Sequence, residues 1–199
     1  MPMERPWIPN LRPRERGMSL LELVVVVGIM LTLSGLAVPS MLTVISSVRL
    51  SVGISNLSGL LQNCRMLAVK ENKTKTTRFT VMGNGPVAYI KDATVVTSLG
   101  TGDVQVQLGA PLTRYVTPSG SGAPAELTST ELTFTAVTSD PSFNSRGFPC
   151  EYSAGVCTIK GFVFYFKDTR PMGQSGWSAV SVSPAGRIRR WTWSGSSWL

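Results

Sequence analysis

The chain has 199 residues, with 19 Lys plus Arg against 11 Asp plus Glu, a formal charge of +8, three cysteines and no histidine; this length sets one domain as the default. Without imidazole, His-based triads, histidine general acid–base chemistry and every zinc, copper or haem site that needs imidazole are excluded. The positive excess points to anionic partners, nucleic acid or a phospholipid surface, and leaves the fold open.

Residues 1–17 are polar and basic: Arg5, Arg12, Arg14 and Arg16 outnumber Glu4 and Glu15, and the segment ends at Gly17. Residues 18–38 are an apolar run carrying one charge, Glu22. At 1.5 Å per residue a helix of this length spans about the thickness of a bilayer core. Arginines precede the run and the next basic residue is Arg49, so the positive-inside rule places the amino terminus in the cytoplasm and the remainder outside. A carboxylate held ionised at depth costs roughly 2 to 3 kcal/mol on insertion scales, so Glu22 requires a charge partner. Two plainer readings remain. Gly35, Leu36 and Ala37 offer a small-x-small signal-peptidase site, and the run would serve as a simple anchor; both leave Glu22 unexplained.

Beyond Pro39 the pattern stays helical, because Leu50, Ile54, Leu57, Leu61, Cys64 and Ala68 recur at steps of three and four and form one apolar stripe. The helix is expected to run to about Lys70, with a kink or local unwinding at Pro39. Its first half is apolar all round and its second half is expected to have a single apolar face. After Asn72 short β-rich runs are broken by Gly, Pro and Ser; strands are expected over 76–82, 87–91, 104–108, 132–137, 158–166, 177–183 and 187–193, with a turn at Gly83, Asn84 and Gly85. Residues 109–124 read as a long surface loop. The expected fold is α+β, a long amino-terminal helix packed on a mostly antiparallel β domain.

In an exported domain Cys150 and Cys157 are expected to form a disulfide rather than half of a metal site. Cys64 falls on the apolar stripe, where a thiol acts as a small hydrophobe. No metal site, cofactor loop or enzymatic constellation is expected: a Ser/Lys hydrolase needs no histidine, but no spacing supports one. Asn72, Lys73 and Thr74 form a glycosylation sequon of the kind that arises often by chance.

The carboxy-terminal segment holds Gly186, Arg187, Ile188, Arg189 and Arg190 with no acid nearby in sequence. In a regular strand Arg187, Arg189, Trp191 and Trp193 share one face, with Ile188 and Arg190 on the other. Arginine binds phosphate bidentately and indoles stack on bases, so this row has the chemistry of a sequence-independent nucleic-acid contact. Lys70, Lys73, Lys75 and Arg78 form a second basic cluster that would extend it. The plain rival is a terminal strand exposing arginines for solubility and tucking its tryptophans onto the sheet.

Gly17 followed by Met18, Ser19, Leu20, Leu21 and Glu22, then an apolar helix with Pro39, resembles the class III leader of type IV pilins and pseudopilins; Met18 departs from the usual phenylalanine. The resemblance implies that prepilin peptidase cuts between Gly17 and Met18, removing residues 1–17, and N-methylates the new amine. It implies that Glu22 and Pro39 serve filament assembly, Glu22 by pairing with an N-terminal amine in the filament core. On this reading residues 18–70 are the long helix, 18–38 its membrane and filament part, and 71–199 a periplasmic β domain. Ser183, Pro184, Ala185, Gly186, Arg187, Ile188, Arg189, together with the 144–149 stretch NSRGFP, resemble the FimT/GspH family of minor pilins and pseudopilins. In competence-associated members a Gly-Arg-x-Arg tail contributes to DNA binding, which Gly186, Arg187 and Arg189 match and Arg190 augments. The implied function is a minor pilin of the inner membrane and pilus that binds DNA for uptake, with other pilins as partners; the alternative is a minor pseudopilin assembling a type II secretion filament.

Overall fold

A computed structural model describes residues 18–83, 85–95, 98–109, 113–115, 140–169 and 175–199. Gly17, the strand expected over 132–137 and most of the 109–124 segment lie outside the described residues. The chain divides into two compact units, Met1–Ser40 and Met41–Leu199, so the second half of the long helix belongs with the β domain rather than with the apolar segment.

Helix α1 runs Leu20–Glu71. The Leu23 N–H donates to the Ser19 carbonyl at 3.1 Å, which makes Ser19 the N-cap and puts Glu22 at the third helical position, where an acidic side chain is favoured. The chain stays helical through Pro39, so the unwinding expected there does not occur; a proline deletes one main-chain bond and the turns on either side retain theirs. The helix ends in a Schellman motif: Asn72 has φ 51°, its N–H donates to the Val69 carbonyl and that of Lys73 to the Ala68 carbonyl. Asparagine tolerates this left-handed position better than most side chains.

Within the first unit Leu20–Val38 is long and apolar enough to cross a membrane, and none of it is buried within the chain. In the second unit Leu50, Ile54, Leu57, Leu61, Cys64 and Ala68 are all buried, as the stripe requires. The opposite face is less polar than expected. Val44, Val48, Val52, Met66 and Val69 are each more than half exposed, so this half of the helix carries apolar surface that its own sheets do not cover.

The described residues form ten strands: β1 Lys75–Met82, β2 Gly85–Asp92, β3 Gln105–Gln107, β4 Thr113–Tyr115, β5 Ser142–Phe143, β6 Pro149–Ser153, β7 Val156–Ile159, β8 Phe162–Thr169, β9 Ser175–Val182 and β10 Ile188–Thr192. Two antiparallel sheets result, one in the order β3-β2-β1-β5-β6-β7 and one in the order β10-β9-β8-β4. The strand expected over 158–166 is in fact two strands in different sheets, parted at Lys160 and Gly161. The segment read as a long loop contains β4. The β6–β7 hairpin turns at Ala154 and Gly155, both at positive φ, the geometry that matches strand twist in two-residue hairpins. Cys150 and Cys157 form a disulfide across it.

Both sheets and the helix stripe share one core. Ala88 and Ile90 from β2, Phe143 from β5, Phe162, Phe164 and Phe166 from β8, and Val180 and Val182 from β9 join the six stripe residues. Period-two alternation sends Val163, Tyr165 and Ala179 to the other face of the second sheet, where Trp191 and Trp198 cover them. Trp198 arrives there because the chain folds back after β10: Thr192 and Leu199 exchange main-chain hydrogen bonds at 2.9 Å. Its ring lies 5.6 Å from Tyr165 and 5.3 Å from Trp193.

Candidate nucleic-acid interface

Residues 183–186 build a tight turn in which the Gly186 N–H donates to the Ser183 carbonyl at 2.7 Å. Ser183, Pro184 and Gly186 occupy the first, second and fourth positions that a type I turn favours. The Arg187 N–H donates to Ser183 Oγ at 3.1 Å, and Gly186 sits at φ 83°. Arg187 therefore belongs to the turn, not to the strand, and its side chain is exposed.

From Ile188 onward the strand alternation holds. Ile188 packs on the helix-side core, and Arg190 on that same side donates to Ser55 Oγ of α1 at 2.6 Å. Arg189 turns to the other face, its guanidinium 5.8 Å from the Trp191 ring centre, a cation–π arrangement. Trp191 is itself held, its Nε1–H donating to Ser181 Oγ at 2.9 Å. Trp191, Trp193 and Trp198 are half-buried, so the tryptophans cover the sheet more than they offer open faces. The three arginines thus point three ways, and two of them already have partners within the chain.

In the second basic cluster Lys73 and Lys75 are engaged by carboxylates. Lys75 is largely buried between Glu71 and Asp92, 2.5 Å from each, and Lys73 lies 3.8 Å from the same Asp92. Burial alone would lower the Lys75 pKa, but hydrogen bonds and charge from Asp92 and Glu71 hold its ammonium above the ordinary range. These lysines close a structural ion-pair network at the helix end.

Arg65, on α1, was invisible as a site residue in the sequence and is the residue on which two loops meet. Its Nη1 donates to the Gly186 carbonyl at 3.0 Å. A Cβ on Gly186 would lie 3.0 Å from the Arg65 Cζ, and one on Gly147 would lie 3.2 Å from its Nε and 3.1 Å from Val69 Cγ2. Gly147, at φ 79°, belongs to the NSRGFP loop, which Asn144 organises: its Oδ1 accepts the N–H groups of Arg146 and Phe148, each at 3.0 Å. Side-chain to backbone bonding of this kind is why asparagine favours such loops. The signals for the site were present as Asn-Ser-Arg-Gly and Ser-Pro-Ala-Gly-Arg; their shared contact with Arg65 required the fold. Gly186→Ala is expected to cost about 1 to 2 kcal/mol, since a left-handed alanine is strained and its methyl displaces the guanidinium. Urea unfolding monitored by circular dichroism measures this; an unchanged midpoint would refute the packing.

The remaining sequence-derived site residues are simply placed. Met18 is exposed and precedes the helix, Glu22 lies in its first turn, and Pro39 within it. Burial raises the Cys64 thiol to about 12, only partly offset by Thr77 and Lys75, so it stays protonated and unreactive in the core. Among the described residues no three His, Cys, Asp or Glu side chains gather as a metal site. No family model matches the sequence, and neither curated proteins nor solved structures gave a match.

Proposed function

We propose that this chain is a minor type IV pilin that binds extracellular DNA without sequence preference and serves DNA uptake. Prepilin peptidase is its processing enzyme, the bacterial inner membrane its site before assembly, and other pilins its filament partners. The observation that carries the reading is the uncovered apolar helix Leu20–Val38 bearing one carboxylate, Glu22, five residues after Gly17. A filament of like helices supplies both things the segment lacks, an apolar surround and a cation for Glu22. The exposed Val44, Val48 and Val52 extend that need beyond the membrane span. DNA binding rests on the arginine-rich turn and strand at Gly186, Arg187, Arg189 and Arg190.

Two measurements test the two halves. Mass spectrometry of the mature chain is expected to show a methylated Met18 as its first residue; an amino terminus after Ala37 would establish a secretory signal instead. A salt titration of DNA binding by the oxidised full chain in non-ionic detergent is expected to give a log–log slope that flattens when Arg187, Arg189 and Arg190 become alanine. An unchanged slope would remove the arginines from the function.

The engagement of Arg189 with Trp191 and of Arg190 with Ser55 favours a second reading, a minor pseudopilin whose basic tail is structural and whose partners are other pseudopilins of a type II secretion filament. Loss of exoprotein export in a deletion strain with DNA uptake intact would select it.

A further inference from the structure

We infer that Arg65, Arg146 and Arg187, not the strand arginines, form the phosphate-binding centre of this domain, and that its ligand is the phosphodiester backbone of a nucleic acid. The inference rests on the DNA-binding reading above and changes which residues perform it. Two observations lead to it.

First, the two loops converge on one guanidinium. Gly147 and Gly186 each approach Arg65 to within 3.0–3.2 Å of where a Cβ would stand. Each glycine has an arginine as its chain neighbour, Arg146 before the one and Arg187 after the other. Consecutive Cα atoms are 3.8 Å apart, so the Cα atoms of both arginines fall within about 9 Å of the Arg65 guanidinium. An extended arginine side chain covers most of that distance, so three guanidinium groups can close on one oxyanion. Second, the cluster is uncompensated. The Arg146 and Arg187 side chains are exposed, and among the described residues none of the three forms an ion pair, whereas Lys73, Lys75, Lys91 and Lys160 all do.

The Arg65 fork is partly spent on Gly186, so its role is to hold both loop tips and lend charge, while Arg146 and Arg187 supply free forks for bidentate phosphate contact. Both loops present their arginines from tight, hydrogen-bonded turns, which reduces the ordering that binding demands. The strand arginines contribute less because each would first have to leave a partner.

The test uses the oxidised full chain in non-ionic detergent, a fluorescent DNA duplex and a salt series, comparing Arg146→Ala, Arg146→Lys, Arg187→Ala and the Arg189→Ala/Arg190→Ala pair. Arg146→Ala is expected to reduce the log–log slope by about 0.9, as Arg187→Ala does. Arg146→Lys should keep the slope, and the strand pair should leave it nearly unchanged. Equal thermal midpoints establish that the variants are folded, since the Arg146 side chain is exposed and its loop is held through Asn144. If the wild type binds DNA but Arg146→Ala retains the full slope, or the strand pair carries the loss, this centre is wrong while DNA binding stands. If the wild type binds no DNA, both fall. Binding to anionic phosphatidylglycerol vesicles that is lost in Arg146→Ala, with DNA binding intact, would likewise overturn the assignment by making this a headgroup site.

Discussion

Phe164→Ala is expected to destabilise the Met41–Leu199 unit by about 3 to 5 kcal/mol and to lower its thermal midpoint by roughly 10 °C. Phe164 is fully buried, and its strand, β8, is a central member of the second sheet, between β9 and β4. Its ring centre lies 5.6 Å from that of Phe79 on β1, which belongs to the first sheet. The side chain therefore joins the two sheets as well as filling space over the helix stripe, and truncation leaves a cavity that three separate elements would have to collapse to fill. The adjacent residue provides the control. Tyr165 is equally buried, but among the described residues its hydroxyl has no hydrogen-bond partner, and burial raises its pKa to about 12. Removing a buried hydroxyl that bonds to nothing is neutral or favourable, so Tyr165→Phe should hold or raise the midpoint. Thermal unfolding of the two oxidised variants, followed by circular dichroism, separates them. A Phe164→Ala cost below about 1 kcal/mol would contradict the shared core.

Much of the scaffold was legible because it depends on periodicity. Helical spacing placed Leu50, Ile54, Leu57, Leu61, Cys64 and Ala68 on one face, and all six are buried. Alternation assigned Ile188 and Arg190 to the face opposite Arg189 and Trp191, and β10 keeps that order. What failed was information that periodicity does not carry. An apolar run such as 158–166 has no internal mark for where one sheet ends and another begins, and only Gly161 hinted at the break. Lys70, Lys73, Lys75 and Arg78 read as a basic patch because Asp92, which pairs with two of them, lies on the next strand. Arg187 was assigned to the strand although the turn signature Ser-Pro-x-Gly ends just before it. Arg65 is 121 residues from Gly186, and no local pattern joins them. The disulfide was legible from the cysteine spacing once the domain was expected to be exported; the Ala154–Gly155 turn beneath it was not, since alanine seldom takes positive φ.

On the filament reading, Glu22→Gln and Glu22→Leu are expected to reach the membrane and be processed normally, yet to fall by roughly two to four orders of magnitude in sheared filaments. The argument depends on the sign of three competing effects. If the segment were only an anchor, Glu22→Leu would improve insertion, because it removes a carboxylate that costs roughly 2 to 3 kcal/mol at depth, and the variant would behave at least as well as wild type. If Glu22 acted only at the helix start, where Ser19 and Glu22 have capping-box spacing, Glu22→Gln would be nearly silent, since glutamine serves the same position. A buried charge partner in an assembled filament gives a different pattern. Glutamine and leucine then both leave the neighbouring amine uncompensated, and breaking a buried pair costs about 3 to 5 kcal/mol, which is the predicted loss in incorporation. Immunoblots of the membrane and sheared-filament fractions measure both quantities at once. Normal filament abundance for Glu22→Gln would reduce the glutamate to a capping residue, and normal abundance for Glu22→Leu would reduce the helix to an anchor.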